Sequence, residues 1–191
     1  PIPYNMSAWE KDYERNVAFM ERQLREVALP LLEEWTGRRL DYDLLSESVS
    51  ILKQAAALRR DSLELTKHIP SPCTFFEFGM SNAPLLLLAG RPETIGYMEE
   101  FKAELEQRVQ QNTPTVLPRE KYRLFWDHIP IWYKLGELSE KLAEYGATIV
   151  TAHYTHSSAF PNEPSIYDPD KPLHSMAEQI VWSTQTFIPE C

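Results

Sequence analysis

Residues 122–132 read YRLFWDHIPIW, and residues 153–156 read HYTH. Together they hold two indoles (Trp126, Trp132), a carboxylate (Asp127) and three imidazoles (His128, His153, His156). An imidazole titrates near neutral pH and can pass a proton or donate a hydrogen bond to a carbonyl oxygen. Paired indoles make a flat apolar wall. Such a set suits the wall of an apolar pocket with hydrogen-bond donors for a carbonyl oxygen. Trp126, His128, Trp132 and His153 are therefore the candidate substrate-binding residues. Each has a structural alternative as a packed side chain, and none is assigned a catalytic role. His153 and His156 form an HxxH without helical spacing or a third ligand at fixed distance, so no metal site is assigned. No GxSxG or GKS motif occurs, and the first strand lacks the GxGxxG glycines that a dinucleotide pyrophosphate needs.

The elements that must position these residues follow from periodicity. Val17, Met20, Leu24, Val27, Leu31 and Trp35 recur at steps of three and four and predict a first helix from Trp9. Pro30 should kink it and Gly37 should cap it. A second helix is predicted from Asp41, an N-cap residue, to about Lys67, with Leu45, Val49, Leu52, Ala56 and Leu63 on its inner face. The two helices are expected to form a hairpin. TFFEFGMSN (74–82) reads as a loop or short turn, and Leu85–Ala89 as a short apolar element. A third amphipathic helix is expected from Pro92 to Gln110, with Met98 and Leu105 inward.

After that helix the period changes. Tyr122–Trp126 is a strand candidate expected to be buried, Leu135–Tyr145 a helix closed by Gly146, and Ala147–Ala152 a second strand. Strand, helix and strand in this order form a parallel βαβ unit. Ligands of such sheets bind beyond the carboxyl ends of the strands, which is where Asp127–Trp132 and His153–His156 fall. A Pro-rich loop over 157–172 and a helix from Leu173 to about Ser183 follow. The fold class is thus α/β, a helical connector and then a Rossmann-like parallel βαβ lobe. The division expected is 1–70, an extended lead-in and helical connector, and 71–191, a helix and the start of the α/β lobe.

The bulk numbers exclude several classes. A net charge of −9 on 191 residues disfavours a duplex-binding surface, so no nucleic acid partner is expected. The longest apolar run, Ala83–Ala89 around Pro84, falls far short of the roughly 20 residues of a membrane span. The two cysteines, Cys73 and Cys191, form neither a disulfide framework nor a CxxC site, which fits a reducing, cytoplasmic setting. The chain opens Pro-Ile-Pro and stops at Cys191, so a piece of a longer polypeptide is expected.

LEEWTGRRLDYDLL (32–45), LLLLAGRPETIGYMEEFKAELEQRV (85–109) and KYRLFWDHIPIWYKLGELSEKLAEYGATIVTAHY (121–154), in this order, resemble the 2-hydroxyacyl-CoA dehydratase and benzoyl-CoA reductase family. The resemblance covers residues 9–155, most specifically EEWTGRRLD and the R-x-x-W-D-x-x-P-x-W pattern from Arg123 to Trp132. It implies a segment of a catalytic subunit of an oxygen-sensitive, radical-type dehydratase of anaerobes, acting on a 2-hydroxyacyl-CoA. The alternatives are a benzoyl-CoA reductase subunit and a non-catalytic scaffold subunit. It further implies a [4Fe–4S] cluster in the complete subunit, with ligands mostly or wholly outside this segment. The implied partners are an acyl-CoA substrate, a second homologous subunit and an ATP-dependent iron–sulfur activator protein. Arg119, Lys121, Arg123 and Lys134 then become candidate cations for the phosphates of coenzyme A, or simple solvated charges.

Overall fold

The structure, a computed structural model, describes residues 9–117, 119–127, 130–152, 154–155 and 163–185. The first rod consists of α1 (Trp9–Gln23), a π-helical turn (Leu24–Ala28) and α2 (Leu29–Thr36). Pro30 has no amide to give the carbonyl four residues back, and the π-turn directly before it absorbs the mismatch without breaking the rod. Gly37 ends the rod in the left-handed region (φ 65°), its amide donating to Glu33 O at 2.9 Å. The Asp41 carboxylate caps α3 (Tyr42–Leu65) by accepting from the amides of Asp43 and Leu44 at 3.0 and 3.1 Å.

The expected hairpin is not how these helices pack. The inner stripe of α3 lies against α6 (Glu93–Gln110), burying Met98 and Leu105. The rod packs through α1 on the last helix, α8 (Pro172–Gln185), where Val17 meets Ala177 and Val181. A polar clasp joins the same two helices: His174 Nδ1 lies 2.9 Å from Glu21, and the Tyr13 hydroxyl donates to Glu178 at 3.1 Å. The second half of the rod's apolar stripe stays bare, with Val27, Leu31 and Trp35 exposed.

TFFEFGMSN is not a loop. Phe75–Met80 forms α4, started by a reciprocal capping box in which Thr74 Oγ1 accepts from Glu77 N and Glu77 Oε2 accepts from Thr74 N. Phe75, Phe76 and Phe78 are all buried, so the aromatic run is the inner surface of a short helix. Asn82–Leu87 is likewise helical, α5. Replacing Thr74 with alanine should cost about 1 kcal/mol of stability, read from a denaturant midpoint. An unchanged midpoint would mean that tertiary contacts alone hold α4.

Strands β1 (Tyr122–Trp126) and β2 (Ala147–Ala152) form a two-stranded parallel sheet, linked by a 3₁₀ turn (Trp132–Lys134) and α7 (Leu135–Glu144). The expected mixed α/β class with a parallel βαβ unit is therefore present. Gly146 (φ 74°) makes the turn into β2, and its carbonyl accepts from the amides of Lys121 and Tyr122. A Cβ at this glycine would stand 3.0 Å from Lys121 Cβ, which adds a steric reason for glycine here. β1 is not the buried strand expected: Tyr122, Leu124 and Phe125 are exposed. The register shifts between Leu124 and Phe125, which pair with Ile149 and Thr151. Alternation breaks at the same place. Phe125 faces out, and Trp126 turns inward onto Phe75.

Candidate functional site

The carboxyl ends of β1 and β2 lie side by side, because Trp126 pairs with Ala152 at the last rung of the sheet. Trp126 is half-buried, its ring nearly parallel to Phe75 (18°) at 6.1 Å between centroids. It packs against the cluster of Phe75, Phe76, Ile149 and Ala152 and so serves the core beneath the rim. Trp132 sits differently. It opens the 3₁₀ turn with 46% of its surface exposed, and its ring meets Tyr154 edge-on at 5.6 Å. Tyr154 follows β2 and packs into the same cluster as Trp126. Loops after both strands thus supply one aromatic corner, with Trp132 as its solvent-facing side.

His128, His153 and His156 lie outside the described residues. Asp127 is exposed beyond β1 and does not cap α7, whose N-cap residue is Lys134.

The expected cations are largely committed elsewhere. Arg123 donates to Thr66 O at 2.8 Å and His68 O at 3.0 Å, and it pairs with Glu120. The Glu120 side chain is 2% exposed and also accepts from Ser71 N at 2.8 Å. Arg123 is thus a staple between the end of α3 and the start of the sheet. Lys121 lies over the Tyr122 ring at 5.0 Å, and Lys134 pairs with Glu137 at 2.9 Å.

Cys73 is fully buried in a cluster with Leu63, Phe78 and Leu105. Burial, reinforced by the nearby Glu77 carboxylate, pushes its thiol pKa far above the usual range. A thiolate ligand is disfavoured there. Among the described residues no three His, Cys, Asp or Glu side chains converge on a metal site. An iron–sulfur cluster takes several thiolates, and the chain has two cysteines, of which Cys191 lies outside the described residues. The residues present do not fit a complete cluster site.

One residue near the rim was missed in the sequence. Arg59, on α3, is buried and donates to Thr155 O at 2.8 Å, three residues past the end of β2. Its signal was positional: Leu52, Ala56, Arg59 and Leu63 share the helix's inner face, so a cation stands where the period demands an apolar side chain.

A model of the family described as 2-hydroxyglutaryl-CoA dehydratase, D-component, matches residues 1–190. A benzoyl-CoA reductase subunit of Thauera aromatica is 28% identical over 170 residues, covering 84% of this chain and 39% of that protein. The alpha subunit of the (R)-2-hydroxyglutaryl-CoA dehydratase of Acidaminococcus fermentans is 28% identical over 159 residues, 83% of this chain and 33% of its own length. The alpha subunit of the lactoyl-CoA dehydratase of Anaerotignum propionicum is 26% identical over 199 residues, 100% of this chain and 43% of its own. The chain therefore spans less than half the length of these relatives. Among the described residues no helix is long and apolar enough to cross a membrane.

Proposed function

Because this chain belongs to the 2-hydroxyglutaryl-CoA dehydratase D-component family, we propose that it is a segment of a catalytic subunit that removes water from a 2-hydroxyacyl-CoA. The family match over residues 1–190 carries the reading. The enzyme is of the oxygen-sensitive, radical iron–sulfur kind, its cluster held by cysteines mostly or wholly outside this segment. It works in the cytoplasm with a second homologous subunit and an ATP-dependent iron–sulfur activator.

The aromatic corner supports the substrate side of this reading. Trp132 and Tyr154 flank an acyl chain, Trp126 backs them from the core, and His128 and His153 donate hydrogen bonds to the thioester oxygen. Trp132→Ala should then lower turnover or raise KM by about tenfold, near 1.4 kcal/mol. Its melting temperature should change little, because the indole is half exposed. Unchanged kinetics with a lowered melting temperature would make Trp132 a packing residue.

A second reading, the ATP-driven ring reduction of benzoyl-CoA, draws on the Thauera reductase, which is as similar as the 2-hydroxyglutaryl-CoA dehydratase relative. Anaerobic assays of the intact complex with a 2-hydroxyacyl-CoA and with benzoyl-CoA separate the two. Ring reduction without dehydration would overturn the first reading. Full activity of the complex after rim substitutions would favour a scaffold role.

A further inference from the structure

Arg59 is 1% exposed, yet its hydrogen bonding is incomplete. Nη2 donates to Thr155 O at 2.8 Å, and the guanidinium lies over the Phe78 ring, 4.9 Å from its centroid. Nε and Nη1 have no hydrogen-bond partner among the described residues. The titratable groups among them that act on it are Tyr154 and Tyr97, neither of them a carboxylate. Burial pulls its pKa down to about 10, so it remains a cation at neutral pH. A buried charge without a counter-charge costs stability, and an apolar side chain of similar volume often serves a fold as well or better. Packing alone therefore does not account for an arginine here.

What the charge does hold is the segment at the rim. Thr155 is 1% exposed, and its hydroxyl donates to Ala152 O at 2.9 Å, at the end of β2. Its carbonyl accepts from a guanidinium 96 positions away on α3, and a charged donor makes the stronger bond. Tyr154, one residue earlier, is thus tied to a neighbour that is fixed twice. The Tyr154 ring meets Trp132 edge-on at 5.6 Å and packs into the cluster of Phe75, Phe76, Ile149 and Ala152. Phe78, under the guanidinium, belongs to α4, the same helix that sends Phe75 and Phe76 into that cluster.

We infer that Arg59 is a positioning residue for the aromatic corner: from α3 it fixes the Thr155 carbonyl and so sets where Tyr154 stands against Trp132. The consequence for turnover rests on the acyl-CoA reading of that corner. It makes α3 part of the substrate site with no contact between Arg59 and substrate. A wall held in one place selects among acyl chains by fit, and a loosened wall loses that selection.

The test uses the intact complex and Arg59→Met, which keeps an unbranched apolar stem against Phe78 and removes the donor. The melting temperature should hold or rise. The kcat/KM for a 2-hydroxyacyl-CoA should fall several-fold, short of the about tenfold expected of Trp132→Ala. A double-mutant cycle gives the readout that a purely structural role would not move. Arg59→Met should add almost nothing in a Tyr154→Ala background, because the side chain it positions is gone. Full additivity would overturn the inference, as would unchanged kcat/KM in Arg59→Met where Tyr154→Ala lowers it. Unchanged kinetics in Tyr154→Ala as well would overturn the acyl-CoA reading of the corner instead. A crystal structure of Arg59→Met then judges Arg59 alone: a Tyr154 ring moved off Trp132 supports its role, and an unmoved ring refutes it. Should Arg59→Met not fold, crystals of the unmodified complex with a 2-hydroxyacyl-CoA decide. Arg59 bonded to Thr155 O with the acyl chain against Tyr154 supports the inference. An Arg59 bonded elsewhere refutes it, and an acyl chain away from Tyr154 refutes the reading beneath it.

Discussion

Phe75→Ala is expected to cost about 3–5 kcal/mol of folding stability, the range for emptying a large aromatic site in a packed core. Phe75 is 1% exposed and stands where α4 meets the sheet. Its ring lies 5.3 Å from Phe76 and 6.1 Å from Trp126, with Ile149 and Ala152 in the same cluster. The neighbours are held by a capped helix on one side and a hydrogen-bonded sheet on the other, so the cavity has little freedom to collapse. Phe75→Leu, which keeps part of the volume, should cost distinctly less. Both are measured as denaturant midpoints at unchanged slope. The alanine variant should also lose activity, because Trp126 rests on Phe75 and ends the strand that leads to the rim. A loss below 1 kcal/mol would mean that the aromatic cluster does not hold α4 to the sheet.

How much of this was legible depended on whether the information was local. Asp41 announces α3 because a cap acts on amides two and three residues away. Gly37 and Gly146 announce their turns because both backbones require positive φ. The βαβ unit showed as a change of period, and its topology placed Trp132 and Tyr154 at one end before any contact was known. Partners were not legible. An apolar stripe says that a helix needs covering and not by what, so adjacency in sequence suggested a hairpin that α6 and α8 displace. The exposed β1 has the same cause: Tyr-Arg-Leu-Phe-Trp suits a sheet surface, but five residues do not tell whether that surface is covered. At α4 the local signal was present and outweighed. Thr74-x-x-Glu77 is a capping-box spelling, but a nearby glycine and asparagine favoured a turn. Arg123 was read by its charge alone, though Glu120 three residues earlier offered a partner.

That partnership carries the second large effect. Arg123→Ala should destabilise the protein by about 3–5 kcal/mol, because removing one member of a buried pair leaves the other charge uncompensated. Glu120 is 2% exposed, and Arg123 itself is 24% exposed, so solvent does little to screen the pair. Without the guanidinium, Glu120 keeps the Ser71 amide as its remaining donor, and the carbonyls of Thr66 and His68 lose theirs. These groups join the end of α3 to the segment leading into α4 and to the start of the sheet, so the loss loosens α3 from β1. Arg123→Lys should recover part of the stability, since one ammonium cannot reach three acceptors in the geometry of a planar fork. Combined with Glu120→Gln in a double-mutant cycle, Arg123→Ala should show a coupling of about 2 kcal/mol, within the usual span for contacting residues. In Arg123→Lys the KM for a coenzyme A thioester should stay within about twofold of wild type, because a guanidinium committed to Glu120 and to the carbonyls of Thr66 and His68 acts on the fold and not on substrate affinity. A tenfold rise in KM at an unchanged melting temperature would make Arg123 a phosphate ligand, and the staple would be a crossing of convenience in the resting protein.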